Sequence, residues 1–223
     1  MKMSKSIPMV DLPKIHAPYQ SDLDKAVLSV VHSGGYIGGT VVQDFEARAA
    51  SYLGAPVIGV GNGTDALQIA LMALDIKAGD EVIVPAFTYA ASAEVIGLLG
   101  AIAVWCDVNE STFTIDPDSA KSVLSDKTAA IIAVHLYGQC ADIEALENVA
   151  PDIPVVEDTA QAFGAVFTTG KYAGRNAGTV GSFGTFSFFP TKNLGALGDG
   201  GAIASTNSSL LAKAKSIASH GQS

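Results

Sequence analysis

Cysteine is scarce in this chain. Cys106 and Cys140 are the only two among 223 residues, and neither sits in a C-x-x-C pair. A disulfide framework is therefore excluded, and a reducing cytoplasm is the compartment expected. Charge is scarce too. Only 16% of residues are Asp, Glu, Lys or Arg, and the basic ones are the smaller share, 13 against 22, for a net charge of −9. Such a chain lacks the cations that neutralise a phosphate backbone, which excludes general nucleic-acid binding. A few local donors can still hold one phosphorylated small molecule. No apolar run is long enough to cross a bilayer, so no membrane association is expected. The basic start, Met1 to Ile7, has no apolar stretch behind it, which leaves a signal peptide unsupported. There is no internal repeat and no low-complexity linker.

What is present is apolar: 48% of residues are hydrophobic, enough for one large domain with a buried core. Residues 19–33 carry Leu23, Ala26, Val27, Val30 and Val31 at helical spacing. Ser33 to Gly39 breaks that helix, and another is expected over 41–53. An alternation follows. Strands are predicted at 57–60, 82–84, 102–105, 129–134 and 155–157, with helices at 64–74, 92–99, 118–124 and 142–149 between them. After residue 170 a Gly-, Thr- and Phe-rich stretch reads as strand, loop, strand, the last at 201–205, before a helix at 208–218. Short apolar strands alternating with helices predict an α/β fold, a mostly parallel sheet with helices on both faces. Ligands bind such sheets beyond the carboxyl ends of the strands.

Three groups at those ends invite chemistry. Gly59 to Ala66 lies between a strand and a helix. N–H groups and the dipole at a helix start favour an anion, glycine allows close approach, and Thr64 adds a hydroxyl. The same stretch also reads as a tight turn with Thr64 as N-cap. A dinucleotide fingerprint fits poorly, because Thr64 occupies its third glycine and Asp80 and Glu81 fall in a turn. Next, Asp158 follows a buried strand, where a carboxylate needs a partner. A pyridinium nitrogen would be one, and capping a helix through Asp158 or Thr159 is the other reading. Gln161 faces the same side, and Glu157 is read as a neighbour without a chemical role. Last, Lys192 stands among aromatic and small residues, unusual for lysine. Desolvation would favour its neutral, nucleophilic form; an ordinary surface lysine is the alternative.

These segments occur together and in order: Ile37-Gly38-Gly39, Gly61 to Leu67, Pro85 to Tyr89, Val134 to Gly138, Glu157 to Gln161, and Phe186 to Gly201. That order resembles the DegT/DnrJ/EryC1/StrS family of nucleotide-sugar aminotransferases, over nearly the whole chain. The last two segments are the most specific.

The resemblance implies an aspartate-aminotransferase type large domain (fold type I) that binds pyridoxal 5'-phosphate. Lys192 would carry the cofactor as a Schiff base and shuttle protons, with Asp158 on the pyridine nitrogen and Gln161 on the ring hydroxyl. Gly63, Thr64 and Ser187 would hold the phosphate, and Tyr89 would stack on the ring. His135 is placed near the site, with core packing as the alternative. No metal is assigned. An amino acid, usually glutamate in this family, would give its amine to a nucleotide-linked keto sugar, at C3 rather than C4, in amino-sugar or polysaccharide biosynthesis. A homodimer with the site at its interface is implied. Family members continue past residue 223 into a small domain. Residues 1–223 are thus expected to be the cofactor-binding large domain with an N-terminal helical segment. The alternative is a regulatory paralogue that keeps the fold, or an inactive fragment.

Overall fold

The computed structural model describes residues 7–222. It divides into two compact units, Met1–Asp44 and Phe45–Ser223.

The described part of the first unit is helical. Helix α1 spans Leu12–His16 and is capped by the Asp11 side chain, which accepts from the Lys14 N–H. After the short 3-10 turn Ala17–Tyr19, α2 runs over Gln20–Ser33 and ends on left-handed Gly34, a conformation glycine adopts without strain. The expected helix over 19–33 is therefore present, while α1 had no apolar periodicity to announce it. No residue of α2 is buried. Helix α3, Gly39–Leu53, carries the chain into the second unit.

The second unit is the α/β body. Its strands are β1 (Val57–Val60), β2 (Glu81–Pro85), β3 (Ile102–Cys106), β4 (Thr128–Val134), β5 (Val155–Asp158), β6 (Phe183–Ser187) and β7 (Gly201–Ala204). Its helices are α4 (Gly63–Ala73), α5 (Ala91–Leu98), α6 (Pro117–Ser122), α7 (Ile143–Val149) and α8 (Ser208–Ala218). The sheet order is β1-β7-β6-β5-β4-β2-β3. Every neighbouring pair is parallel except the two that involve β7. The predicted class and alternation hold.

Burial on both faces explains the near-continuous apolar strands. Along β4, Ala130, Ile132 and Val134 pack into one core cluster, with residues of α4, α5 and α8. Ile131 and Ala133 point the other way, with residues of α6 and α7. A third cluster is aromatic. Phe188 meets Phe45 at 5.3 Å and Phe163 at 5.7 Å, both edge-on, and Phe163 also meets Phe186.

The pairing registers bring several strand ends to one edge. Val134 pairs with Asp158 in the parallel β4–β5 ladder. Ser187 and Val60 both pair with Gly201, the first residue of β7. Because β7 alone runs backwards, the ends of β1, β4, β5 and β6 share the edge where β7 begins. There a parallel sheet leaves room for a ligand.

Candidate active site

At that edge lies a cleft of about 570 Å³. Of the residues singled out from sequence, Gly63, Thr64, Tyr89, Asp158, Gln161, Ser187 and Lys192 all line it. His135 does not. It is wholly buried and packs edge-on against Phe167, so the core reading holds.

The start of α4 forms one wall. Asn62 is the N-cap, in extended conformation, and its Oδ1 accepts from the Asp65 N–H at 2.8 Å. Asp65 answers by accepting from the Asn62 side-chain amide at 3.0 Å. The reciprocal pair resembles a capping box. The reading of Thr64 as cap is thus corrected: Thr64 is inside the helix, free to face the cleft. The N–H groups of Gly63 and Thr64 fall in the first turn, where a helix supplies no acceptor. Gly63 is required by proximity, since a Cβ there would stand 2.6 Å from the Ser187 Cβ. The helix start and the end of β6 thus touch, and their donors converge.

Asp158 ends β5 and is only 5% exposed. Its Oδ1 accepts from the Ala160 N–H at 3.1 Å, and its Oδ2 from the Ser92 hydroxyl at 2.8 Å. No helix follows Asp158, so the helix-cap reading of Asp158 or Thr159 is overturned; the carboxylate caps a turn. Gln161 Oε1 accepts from the Tyr137 N–H at 2.9 Å. That bond assigns the amide orientation and leaves the NH2 end of Gln161 as the donor.

Lys192 sits in the excursion between β6 and β7. The Lys192 N–H donates to the Phe189 carbonyl, the Ala196 N–H to Phe188, and the Phe188 N–H to Gly200. Gly195 is needed because a Cβ would collide with the Pro190 carbonyl. Lys192 is half-buried at the wall of the cleft, partly withdrawn from water. Tyr89 lies at the rim, 72% exposed.

Behind the site, Glu157 is fully buried and far from idle. Its carboxylate accepts from the N–H groups of Gly178, Val180 and Gly181 at 2.7–2.9 Å. It also meets His135 Nε2 at 2.8 Å. Because the Ala141 N–H donates to His135 Nδ1, the ring proton is on Nε2 and points at Glu157. Burial pushes the Glu157 carboxyl up, but the His135 hydrogen bond and the Gly181 and Gly178 N–H groups outweigh it and hold it below the ordinary range. Sequence reasoning missed this clamp, and it missed Asn62 and Ser92. For Ser92 a signal existed: one hydroxyl in an otherwise small and apolar run, Ala90-Ala91-Ser92-Ala93.

The arrangement suits a phosphorylated, aromatic, nitrogen-containing aldehyde. Anion donors lie at one side, a buried carboxylate with spare lone pairs at the floor, an amide donor beside it, and a primary amine on the wall. Among the described residues no three His, Cys, Asp or Glu side chains gather as a metal site.

Known proteins resemble this chain over nearly its whole length. A UDP-2-acetamido-2-deoxy-3-oxo-D-glucuronate aminotransferase of Pseudomonas aeruginosa is 43% identical over 97% of the chain and 60% of its own length. A pleiotropic regulatory protein of Geobacillus stearothermophilus is also 43% identical, over 97% of the chain and 58% of its own. The crystal structure of DesV from S. venezuelae, in complex with a ketimine intermediate, superposes with a TM-score of 0.92 at 38% identity. It covers 98% of this chain and 58% of that one. The chain thus spans about three fifths of the length of these relatives. The DesV likeness identifies the sheet and its helices as the aminotransferase type I fold. The model of the DegT/DnrJ/EryC1/StrS aminotransferase family matches residues 19–223, and the chain belongs to that family.

Proposed function

We propose that this chain is the cofactor-binding large domain of a pyridoxal-phosphate-dependent aminotransferase acting on a nucleotide-linked keto sugar. The observation that carries the reading is the convergence of Lys192, Asp158, Gln161 and the Gly63–Ser187 contact on one cleft. When bound, pyridoxal phosphate supplies the electron sink that stabilises a carbanion. The protein supplies placement and proton handling. The Gly63 and Thr64 N–H groups, with the Thr64 and Ser187 hydroxyls, hold the phosphate on the positive end of α4. Asp158 keeps the ring nitrogen protonated. The Gln161 amide, aimed by the Tyr137 N–H, donates to the ring hydroxyl. Tyr89 covers one ring face. Lys192 would hold the cofactor through Nζ, and the same amine would move a proton to and from the substrate carbon as general acid and base.

Glutamate is the proposed donor, and C3 of the sugar the proposed acceptor. The 3-oxo substrate in the name of the Pseudomonas relative supports the second point. The open cleft and the exposed Tyr89 suit a site completed by further protein, from a second copy in a homodimer or a C-terminal small domain.

The decisive test is incubation with pyridoxal phosphate. An absorbance band in the near-ultraviolet or visible is expected, with a borohydride-trapped adduct on Lys192, both abolished in Lys192→Ala. No band and no adduct in the wild type would refute the proposal. A second reading has one observation behind it, the regulatory name of the Geobacillus relative. A regulator that keeps the fold would take up cofactor but fail to convert it to the amine form when glutamate is added. Conversion would exclude it.

A further inference from the structure

Ser92 has no exposure at all. It lies in the first turn of α5, behind the cleft wall, while Thr88 and Asp158 line the cleft itself. Its hydroxyl oxygen is 2.8 Å from Asp158 Oδ2 and 2.9 Å from Thr88 Oγ1. An ionised carboxylate only accepts, so the Ser92 proton goes to Asp158. The Ser92 oxygen is then left to accept, and the Thr88 proton goes to Ser92. The three groups form a one-way chain, Thr88 to Ser92 to Asp158.

Helix stability gives no reason for the hydroxyl. Alanine is the better helix former, and Ser92 is flanked by Ala91 and Ala93, with buried Val95 and Ile96 on the same helix. A buried hydroxyl is costly unless bonded; this one is satisfied only through Asp158 and Thr88. A carboxylate also needs its rotation fixed if its remaining lone pairs are to face one ligand atom. The Ala160 N–H fixes Oδ1 from the chain's own turn. Ser92 fixes Oδ2 from another element, 66 residues away in sequence.

We infer that Ser92, backed by Thr88, is a positioning residue that aims the Asp158 carboxylate at the ring nitrogen of the cofactor and so keeps that nitrogen protonated. The inference rests on the proposed cofactor reading of the cleft. Hydrogen bonds to a charged acceptor are the strong class, so removal of one is felt by whatever the carboxylate binds.

Two measurements on the same variants separate this inference from the reading beneath it. The first needs no cofactor. In a crystal structure of Ser92→Ala, Asp158 is expected to leave its single rotamer while β5 stays in place; an unmoved carboxylate overturns the inference. The second uses protein loaded with pyridoxal phosphate labelled with 15N in the ring. In Ser92→Ala the ring resonance is expected to move toward its unprotonated position, and cofactor affinity to fall about tenfold, the loss of one such bond. Thr88→Val, which keeps shape but removes the hydroxyl, is expected to shift both in the same direction by less. Thr88→Ser, which restores the hydroxyl without the methyl, is expected to match the wild type. An unchanged ring resonance in Ser92→Ala, or a Thr88→Ser variant as impaired as Thr88→Val, overturns the inference while the cofactor reading stands. Wild-type protein that takes up no cofactor overturns the reading itself, whatever Asp158 does in the crystal.

Discussion

Lys192 gains its standing from its company. A half-buried lysine on a cleft wall is ordinary; one facing Asp158, Gln161 and the start of α4 is not. Gly63 shows how narrow the site is. Its neighbour Ser187 lies so close that a methyl group there would stand 2.6 Å from the Ser187 Cβ. Gly63→Ala is therefore expected to push the helix start away from β6, costing about 1–3 kcal/mol as overpacking does. Pyridoxal-phosphate titration followed by absorbance should show weakened binding, with the circular dichroism spectrum kept. The cysteines behave in the opposite way, as silent residues. Burial, then the charges of Asp107 and Asp116, push the Cys106 thiol up to about 12. Burial and Glu157 raise Cys140 to about 11. Only the thiolate is nucleophilic, so both should resist iodoacetamide at pH 8 and react once the chain is denatured. Rapid labelling of folded protein, read by mass spectrometry, would contradict this.

Between elements, the Glu157 carboxylate ties the end of β5 to the 178–181 loop and, through His135, to the 136–141 turn that orients Gln161. Its carboxyl is held below the ordinary range in the fold. The stabilisation is therefore fully present above the unfolded value, roughly pH 4.3, and is lost as pH falls through the lower folded value. Glu157→Gln is expected to cost about 3 kcal/mol at pH 7, because a neutral amide cannot accept from all four donors. In urea titrations the gap between wild type and variant should narrow as pH drops below about 4. A gap that is constant from pH 7 to pH 3 would contradict the clamp. The sequence reading gave Glu157 no chemical role, and it was silent on this structural one. Adjacent strand residues point to opposite faces, so a carboxylate beside Asp158 belongs to a different environment, and only its partners reveal that.

At the scale of the molecule, the two units differ in what they bury. Helix α2 buries no residue, while β4 is buried along nearly its whole length. Amides open with the stability of their surroundings. Hydrogen exchange should therefore be far faster over Gln20–Ser33 than over Thr128–Val134 in the isolated chain. Equal protection would mean that α2 is covered in solution, as it would be in an assembly. Val27, Leu28 and Val31, each about half exposed, offer an apolar face to such a cover.

The sequence by itself determined the class, the order of elements and the lysine. Alternating apolar runs fix strand and helix identity locally, and the stretch from Phe186 to Gly201 is specific enough to name a family. Through that resemblance the sequence also named seven residues that line one cleft. Tertiary structure alone decided who touches whom. Asn62, not Thr64, caps α4; Ser92 reaches Asp158 across 66 residues; His135 turns into the core to meet Glu157. Periodicity reports which face a side chain takes, whereas these pairings depend on distances of about 3 Å set by how separate strands and helices pack, and no local pattern encodes them.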